Sequence, residues 1–304
     1  MKWQKQGLIY CPDGNQDWAQ NTFLTPTPII INENIRIYGG FRDAKGVSRI
    51  GYIDVDAQNP SKVLNLSKKP VLDVGINGTF DDNGMILGDV IWVGNKLRMY
   101  YVGFQKVNKV KFLAYSGLAV SSDGGENFVR VQQTPIMDRT ENALYIRAIH
   151  TVLRVDKKYL VWYSVGSGWE IINDIPYPKY DIRFIESENG ISFDDNKGVH
   201  CVGVKSNEYR IGRPRVRMTS EGFEMRYTFD TKEKSYTTGY ATSEDGKVWK
   251  RQDELTGILN SETGWDSEMV CYPVTISVRN REYMFYSGNG MGATGVGYAE
   301  LVYI

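Results

Sequence analysis

Short apolar runs recur along the chain, and the clearest of them alternate with polar residues at a period of two. Ile35 and Ile37 alternate with Arg36 and Tyr38, as a half-buried strand requires. A run at 28–31 precedes it across an Asn32-Glu33-Asn34 turn, and another at 48–55 follows. Further on, 117–121 leads into Asp123-Gly124-Gly125 and Phe128. The same phrase returns at 187–190 with Phe193 and at 243–246 with Trp249. Asp-Gly and Asn-Gly supply the positive φ of a tight hairpin turn, and the aromatic that follows packs between sheets. A phrase that occurs three times predicts a structural turn.

The strand pattern is itself periodic. Residues 265–288 lie without a gap on residues 80–103, so that Trp265 falls on Phe80, Asp266 on Asp81, Met284 on Met99 and Gly288 on Gly103. Two weaker copies lie between them and make Gly88, His150, Pro214 and Pro273 equivalent, 62, 64 and 59 residues apart. A repeat of this length in an all-β chain predicts a β-propeller built of four-stranded blades. Five blades are expected, at approximately 11–74, 75–134, 135–203, 204–260 and 261–304 plus 3–10, making 1–304 a single domain. The last repeat is one strand short, and residues 3–10 resemble the strands that end the other repeats. The N-terminal strand is therefore expected to complete the last blade and close the ring, which removes an exposed edge.

Composition changes this picture little. The 304 residues hold 36 basic and 36 acidic side chains, which argues against a nucleic-acid partner. Three scattered cysteines form neither a disulfide framework nor a metal site, and no metal or cofactor is expected. No apolar run reaches membrane-spanning length and residues 1–12 lack a signal peptide's apolar core, so a cytoplasmic protein with no membrane partner is expected.

Candidate chemistry lies where the repeat is broken. Asp81 and Asp266 repeat each other behind an aromatic, which suits a turn carboxylate as well as a catalytic one. Asp82 falls opposite Ser267 and Glu208 and is less repetitive; Glu268 falls opposite Asn83 and Tyr209 and is the leading candidate for an acid. Asp89 sits inside an inner strand, where a carboxylate must be solvated or paired. Arg147, His150, Arg213 and Arg215 are inner-strand basic residues; they suit an anionic ligand or pairs with the acids just named. Trp169, in an insertion at 166–179, joins Trp18, Trp265 and Tyr272 as faces on which a sugar stacks. The glycine-rich run 288–295 reads as a hairpin connection at a channel mouth.

The phrases GTFDDNGM, GLAVSSDGG, GYATSEDGKVW, GWDSEMVCYP and MFYSGNGMGATGVGYA resemble five-bladed propeller proteins related to glycoside hydrolase families 32 and 43, in an uncharacterised branch associated with bacterial surface-polysaccharide genes. That resemblance implies a carbohydrate-active protein, glycosidase-like, acting on a bacterial glycan or glycoconjugate at the channel mouth. It matches Glu268 loosely to the general acid and Asp81 or Asp82 to the stabilising carboxylate. From their places in the repeat, Asp89 is a further candidate companion carboxylate, and Arg147, His150, Arg213, Arg215, Trp169, Asp266 and Tyr272 are expected to hold substrate. The families' first-blade acid has no counterpart, because that region reads Thr25-Pro26-Thr27-Pro28. The departure keeps a second expectation open, a non-catalytic protein that binds a glycan or nucleotide sugar.

Overall fold

The apolar runs form strands that pair with their neighbours in the chain. The structure is a computed structural model that describes residues 2–233 and 236–302; Tyr303 and Ile304, the end of the last expected repeat, lie outside the described residues, as does Met1. After β1 (Lys2–Tyr10), one antiparallel sheet runs in chain order through β2 (Asn21–Ile31), β3 (Asn34–Arg42), β4 (Ser48–Val55) and β5 (Val63–Leu66). A second group comprises β6 (Met85–Val93), β7 (Lys96–Gln105), β8 (Leu113–Ser121) and β9 (Val129–Arg130). A third comprises β10 (Ile146–Val155), β11 (Lys158–Ile172), β12 (Ile175–Ser187) and β13 (Val199–Val202). A fourth comprises β14 (Glu208–Thr219), β15 (Gly222–Thr231), β16 (Thr237–Ser243) and β17 (Lys250–Arg251). Short parallel contacts, β8 to β10 and β12 to β14, merge these three groups into one sheet.

The last group contains β18 (Cys271–Val278), β19 (Arg281–Ser287) and β20 (Val296–Val302), and its outer strand is β1, antiparallel to β20 with Lys2 opposite Val302. No sheet closes on itself among the described residues. The glycine-rich run between β19 and β20 is more than a hairpin connection, because it contains a four-residue helical turn, α1 (Asn289–Gly292).

The core lies between successive groups. Tyr38 and Tyr52 of the first pack on Leu87, Met99 and Phe128 of the second. Tyr100 and Leu118 of the second meet Ile149 and Val161 of the third, and Trp162 and Phe184 of the third meet Met225 and Tyr227 of the fourth. Phe23 and Ile37 of the first group also pack on Tyr283 and Phe285 of the last. Each such fully buried side chain contributes about 1.5–3 kcal/mol.

The repeated turn phrase is part of this packing. Ser121, Ser187 and Ser243 each accept the N–H of a turn glycine, Gly125, Gly190 or Gly246, at 2.9 Å. Those glycines have positive φ and sit against an aromatic of the preceding group, whose Tyr38 hydroxyl or Trp162 indole donates to the carbonyl of Gly125 or Gly246 at 2.8 Å. A Cβ at Gly190 would stand 2.7 Å from the Tyr100 hydroxyl, so only glycine fits.

The first strand of every group is broken at a corresponding place, and β2 and β14 carry a second break nearer their starts. Register shifts fall between Leu24 and Thr27, Leu87 and Asp89, Ile149 and Thr151, Gly212 and Arg215, and Cys271 and Val274. The residues left over are Thr25-Pro26, Gly88, His150, Arg213-Pro214 and Tyr272-Pro273, which include the positions equated by the sequence repeat. Proline cannot donate to a ladder and is tolerated inside a sheet at a bulge, where the strand bends and a side chain is re-aimed.

Candidate functional site

The bulges aim their side chains at one place. Thr25, His150, Arg213 and Tyr272 all line a cavity of about 420 Å³ to which every group of strands contributes. Thr25, Arg213 and Tyr272 have φ of 53°, 56° and 57°, the left-handed region that non-glycine residues avoid. Strain of this kind costs about 1–3 kcal/mol per residue and collects at functional sites.

Arg213 crosses the centre of the molecule. Its Nη1 donates to the Leu87 carbonyl and lies 3.4 Å from His150 Nδ1, while its Nη2 donates to the Thr25 carbonyl at 3.2 Å and to Thr27 Oγ1 at 3.1 Å. One side chain thus links strands of four groups. Burial, with Arg215 nearby, pulls its pKa down to about 9. His150 is held well below its ordinary value by burial and by the charges of Arg213 and Arg215, so its ring is neutral at pH 7. Beneath them Arg215 donates to Asp89 at 2.9 Å, and the other Asp89 oxygen accepts the Val152 N–H at 2.8 Å.

The remaining wall is aromatic and basic. Tyr177, Tyr180, Tyr236 and Phe112 supply rings, and Arg42, Lys106, Lys111 and Arg210 supply positive charge. No Asp or Glu among the described residues lines the cavity. Arg210 is matched by Asp230, whose carboxylate it contacts at 2.6–2.9 Å, and Tyr209 donates to the same group at 2.8 Å. Burial pushes the Asp230 carboxyl up against the pull of Arg210 and Tyr209. The Arg210 guanidinium lies 4.5 Å from the Tyr236 ring centre, and the Tyr180 and Tyr236 hydroxyls share a 2.7 Å hydrogen bond. Four buried polar atoms of lining residues have no partner among the described residues: Thr25 Oγ1, Ser48 Oγ, Ser164 Oγ and Arg213 Nε.

Of the residues singled out in the sequence, His150, Arg213 and Tyr272 line this cavity, as does Tyr177 of the 166–179 insertion. Asp81 is fully buried and accepts from Arg130 at 2.8 Å, and Asp266 accepts from Lys5 at 2.6 Å and Tyr286 at 3.0 Å. Asp89 belongs to Arg215. These three carboxylates are ion-paired inside the fold, and none of them is among the residues that line the cavity. Asp82 binds the Gly78 N–H at 2.7 Å and the Asn83 amide at 2.8 Å, so it shapes its own turn outside the cavity. Glu268 is exposed, also outside the cavity wall, and its N–H is held by Asn289 at 2.8 Å. Arg147 is tied to Asp195 and to the Asp138 carbonyl. Trp169 packs edge-on against Phe112 and Tyr145 at 6.2 and 6.0 Å, behind the wall it was expected to form. Asp82 and Glu268 are thus not brought to Arg213 in one lining.

Thr25, Ser164, Tyr180, Arg210, Asp230 and Tyr236 escaped the sequence reading. Thr25 carries the same signal as Arg213 and Tyr272, a residue before proline inside a strand. The others have no repeat or motif that marks them. Among the described residues no three His, Cys, Asp or Glu are placed to hold a metal, and no helix is long and apolar enough to cross a membrane.

Comparison with known proteins adds relatives and a fold. No family model matches the chain. The uncharacterized proteins Rv1502 and MT1551, from two strains of Mycobacterium tuberculosis, are each 32% identical to it over 303 residues, 99% of both chains. The chain belongs to their family. Among solved structures, BT0996 in its RGII complex superposes with a TM-score of 0.75 at 15% identity, covering 98% of this chain and 91% of that one. A thermostable family-43 glycoside hydrolase gives 0.71 at 14% identity over 95% and 93%. A member of the GH130 family, described as mannoside phosphorylases that include β-1,2-mannosidic glycoside hydrolases, gives 0.71 at 14% over 98% and 93%. The family of Rv1502 therefore has a glycoside-hydrolase-like all-β fold.

Proposed function

We propose that this chain is a carbohydrate-active protein that holds a sugar-containing ligand in the central cavity, on one five-bladed propeller domain. The packing of the first group on the last and the β1–β20 pairing support the ring. The observation that carries the ligand reading is the wall itself. Tyrosine and phenylalanine side chains line it together with Thr25, Ser48, Ser164 and Arg213, whose buried Oγ1, Oγ, Oγ and Nε lack partners among the described residues. Each orphaned group costs about 1–3 kcal/mol, which a hydroxyl-rich ligand recovers by bonding to it.

Binding without cleavage is the reading the geometry favours. Glycoside cleavage in most families uses two carboxyl groups flanking the bond, and the described wall has none. Titration calorimetry with a panel of bacterial monosaccharides and polysaccharide fragments tests it: saturable binding that survives Glu268→Gln, with no product released, is expected. A second reading, glycosidase-like cleavage with Glu268 as acid and Asp82 as companion, is favoured by the hydrolase fold neighbours. Turnover of a fragment by the native chain that disappears in Glu268→Gln would replace the first reading with this one.

A further inference from the structure

The cavity is charged in a way that the molecule is not. Basic and acidic residues balance over the whole chain, yet the described wall carries five cationic side chains and no carboxylate. Arg210 alone is neutralised, by Asp230. Arg42, Lys106, Lys111 and Arg213 make no ion pair with a carboxylate among the described residues, although ion pairs are frequent elsewhere in the fold.

Arg213 is the deepest of the four, only 4% exposed. Its neighbouring carboxylate, Asp89, is occupied by Arg215 and two backbone N–H groups. Four of its hydrogen-bonding directions end on carbonyls, a hydroxyl and a neutral imidazole, none of which carries negative charge. They fix the guanidinium without discharging it, and the fifth donor, Nε–H, has no partner among the described residues. A buried charge left so is costly, and an anion beside it removes the cost. Charge-assisted hydrogen bonds from guanidinium to carboxylate or phosphate are also the strong ones.

We propose that the sugar in this cavity is an acidic one, its carboxylate or phosphate seated against Arg213. The proposal rests on the reading of the cavity as a sugar site and names the class of sugar. Thr25 Oγ1 and Ser164 Oγ flank the seat as hydroxyl partners, and Lys106 and Lys111 draw the anion towards it. The ligand also has a direction. An adjoining hollow of about 260 Å³ shares Tyr177, Arg210 and Tyr236 with the cavity, and there Asp230 and Glu233 balance Arg210 and Lys232. The acidic unit lies at Arg213, and any uncharged continuation extends past Arg210 into that hollow.

The test is titration calorimetry of the full chain with matched pairs: glucuronic acid against glucose, galacturonic acid against galactose, and glucose 1-phosphate against glucose, with inorganic phosphate alone as a further probe. At least one acidic sugar is expected to bind about tenfold or more tighter than its neutral partner, or ~1.4 kcal/mol. The uronate and phosphate arms tell which anion is meant. Arg213→Lys keeps the charge but removes the unpartnered Nε–H and is expected to weaken the acidic sugar alone. Because Arg213 also holds strands together, Lys106→Gln with Lys111→Gln serves as a variant outside the packed centre. It is expected to lower the preference several-fold and flatten its salt dependence. Neutral sugars binding as tightly as their acidic partners would overturn the acidic ligand and leave the sugar site standing. Phosphate binding with no gain from an attached sugar, or no binding by any probe, would overturn both.

Discussion

His150 is one of two histidines, and the chain puts it where it cannot take a proton. The ring is buried, faces Arg213 at 3.4 Å, and has Arg215, which also holds Asp89, donating to its own carbonyl. Its folded pKa lies well below 6.5, so between those two values the unfolded chain binds a proton that the folded chain refuses. Stability is then complete above about pH 6.5 and falls as pH drops below it, by up to ~2 kcal/mol at pH 5 if the folded ring stays neutral. The other histidine, His200, is exposed and stands 3.5 Å from Asp181. Replacing His150 by Gln should flatten the difference in urea midpoint between pH 7 and pH 5. Equal slopes in native protein and His150→Gln would show that the ring is not held neutral.

At the scale of the strand, the bulge is the device that turns scaffold into site. A regular first strand would send alternate side chains into the sheet interfaces on either side. The leftover residue breaks that alternation, and in three cases it does so by placing a residue with positive φ before a proline. Relief of that strain should therefore separate stability from function. Thr25→Gly removes the backbone penalty and a buried hydroxyl with no partner among the described residues, so the thermal midpoint is expected to hold or rise by an amount equivalent to about 1 kcal/mol. Ligand affinity should fall, because Thr25 Oγ1 is part of the wall. A lower midpoint with unchanged affinity would mean that the bulge serves only the fold.

The bulge also explains what could be read in advance. The repeat equated Gly88, His150, Pro214 and Pro273 because each group needs a break in its first strand. The Ser-x-Asp-Gly and Ser-x-Asn-Gly phrases were legible because the same turn meets the same kind of aromatic each time. Ion pairing was not legible: Asp81 finds Arg130 49 residues away, and Asp266 finds Lys5 at the far end of the chain. A carboxylate looks alike in a sequence whether a cation neutralises it or a cavity receives it. The Arg210–Asp230 pair and its ring of tyrosines were hidden for the same reason, being gathered from separate strands with no copy elsewhere.

Over the whole molecule, the two ends of the chain are joined through β1, and the repeat shows what that strand replaces. Within the second group Phe80 stacks on Tyr101, and Arg130 of the outer strand reaches across to buried Asp81. In the last group Trp265 stacks on Tyr286, and the outer strand that reaches Asp266 is β1, with Lys5 in the place of Arg130. Trp3 adds a second anchor, lying over the Arg226 guanidinium of the fourth group at 5.3 Å. Lys5→Met should cost about 3 kcal/mol in denaturant stability, far more than an exposed pair, since it leaves Asp266 buried without its cation. Removal of residues 2–10 should cost more still, because it also bares the edge of β20 to other chains. That shortened chain is expected to aggregate or lose its cooperative transition, and a synthetic peptide of residues 2–10 is expected to restore it by strand addition. A shortened chain that melts at the native midpoint without the peptide would show that the last group stands on three strands and that β1 only decorates it.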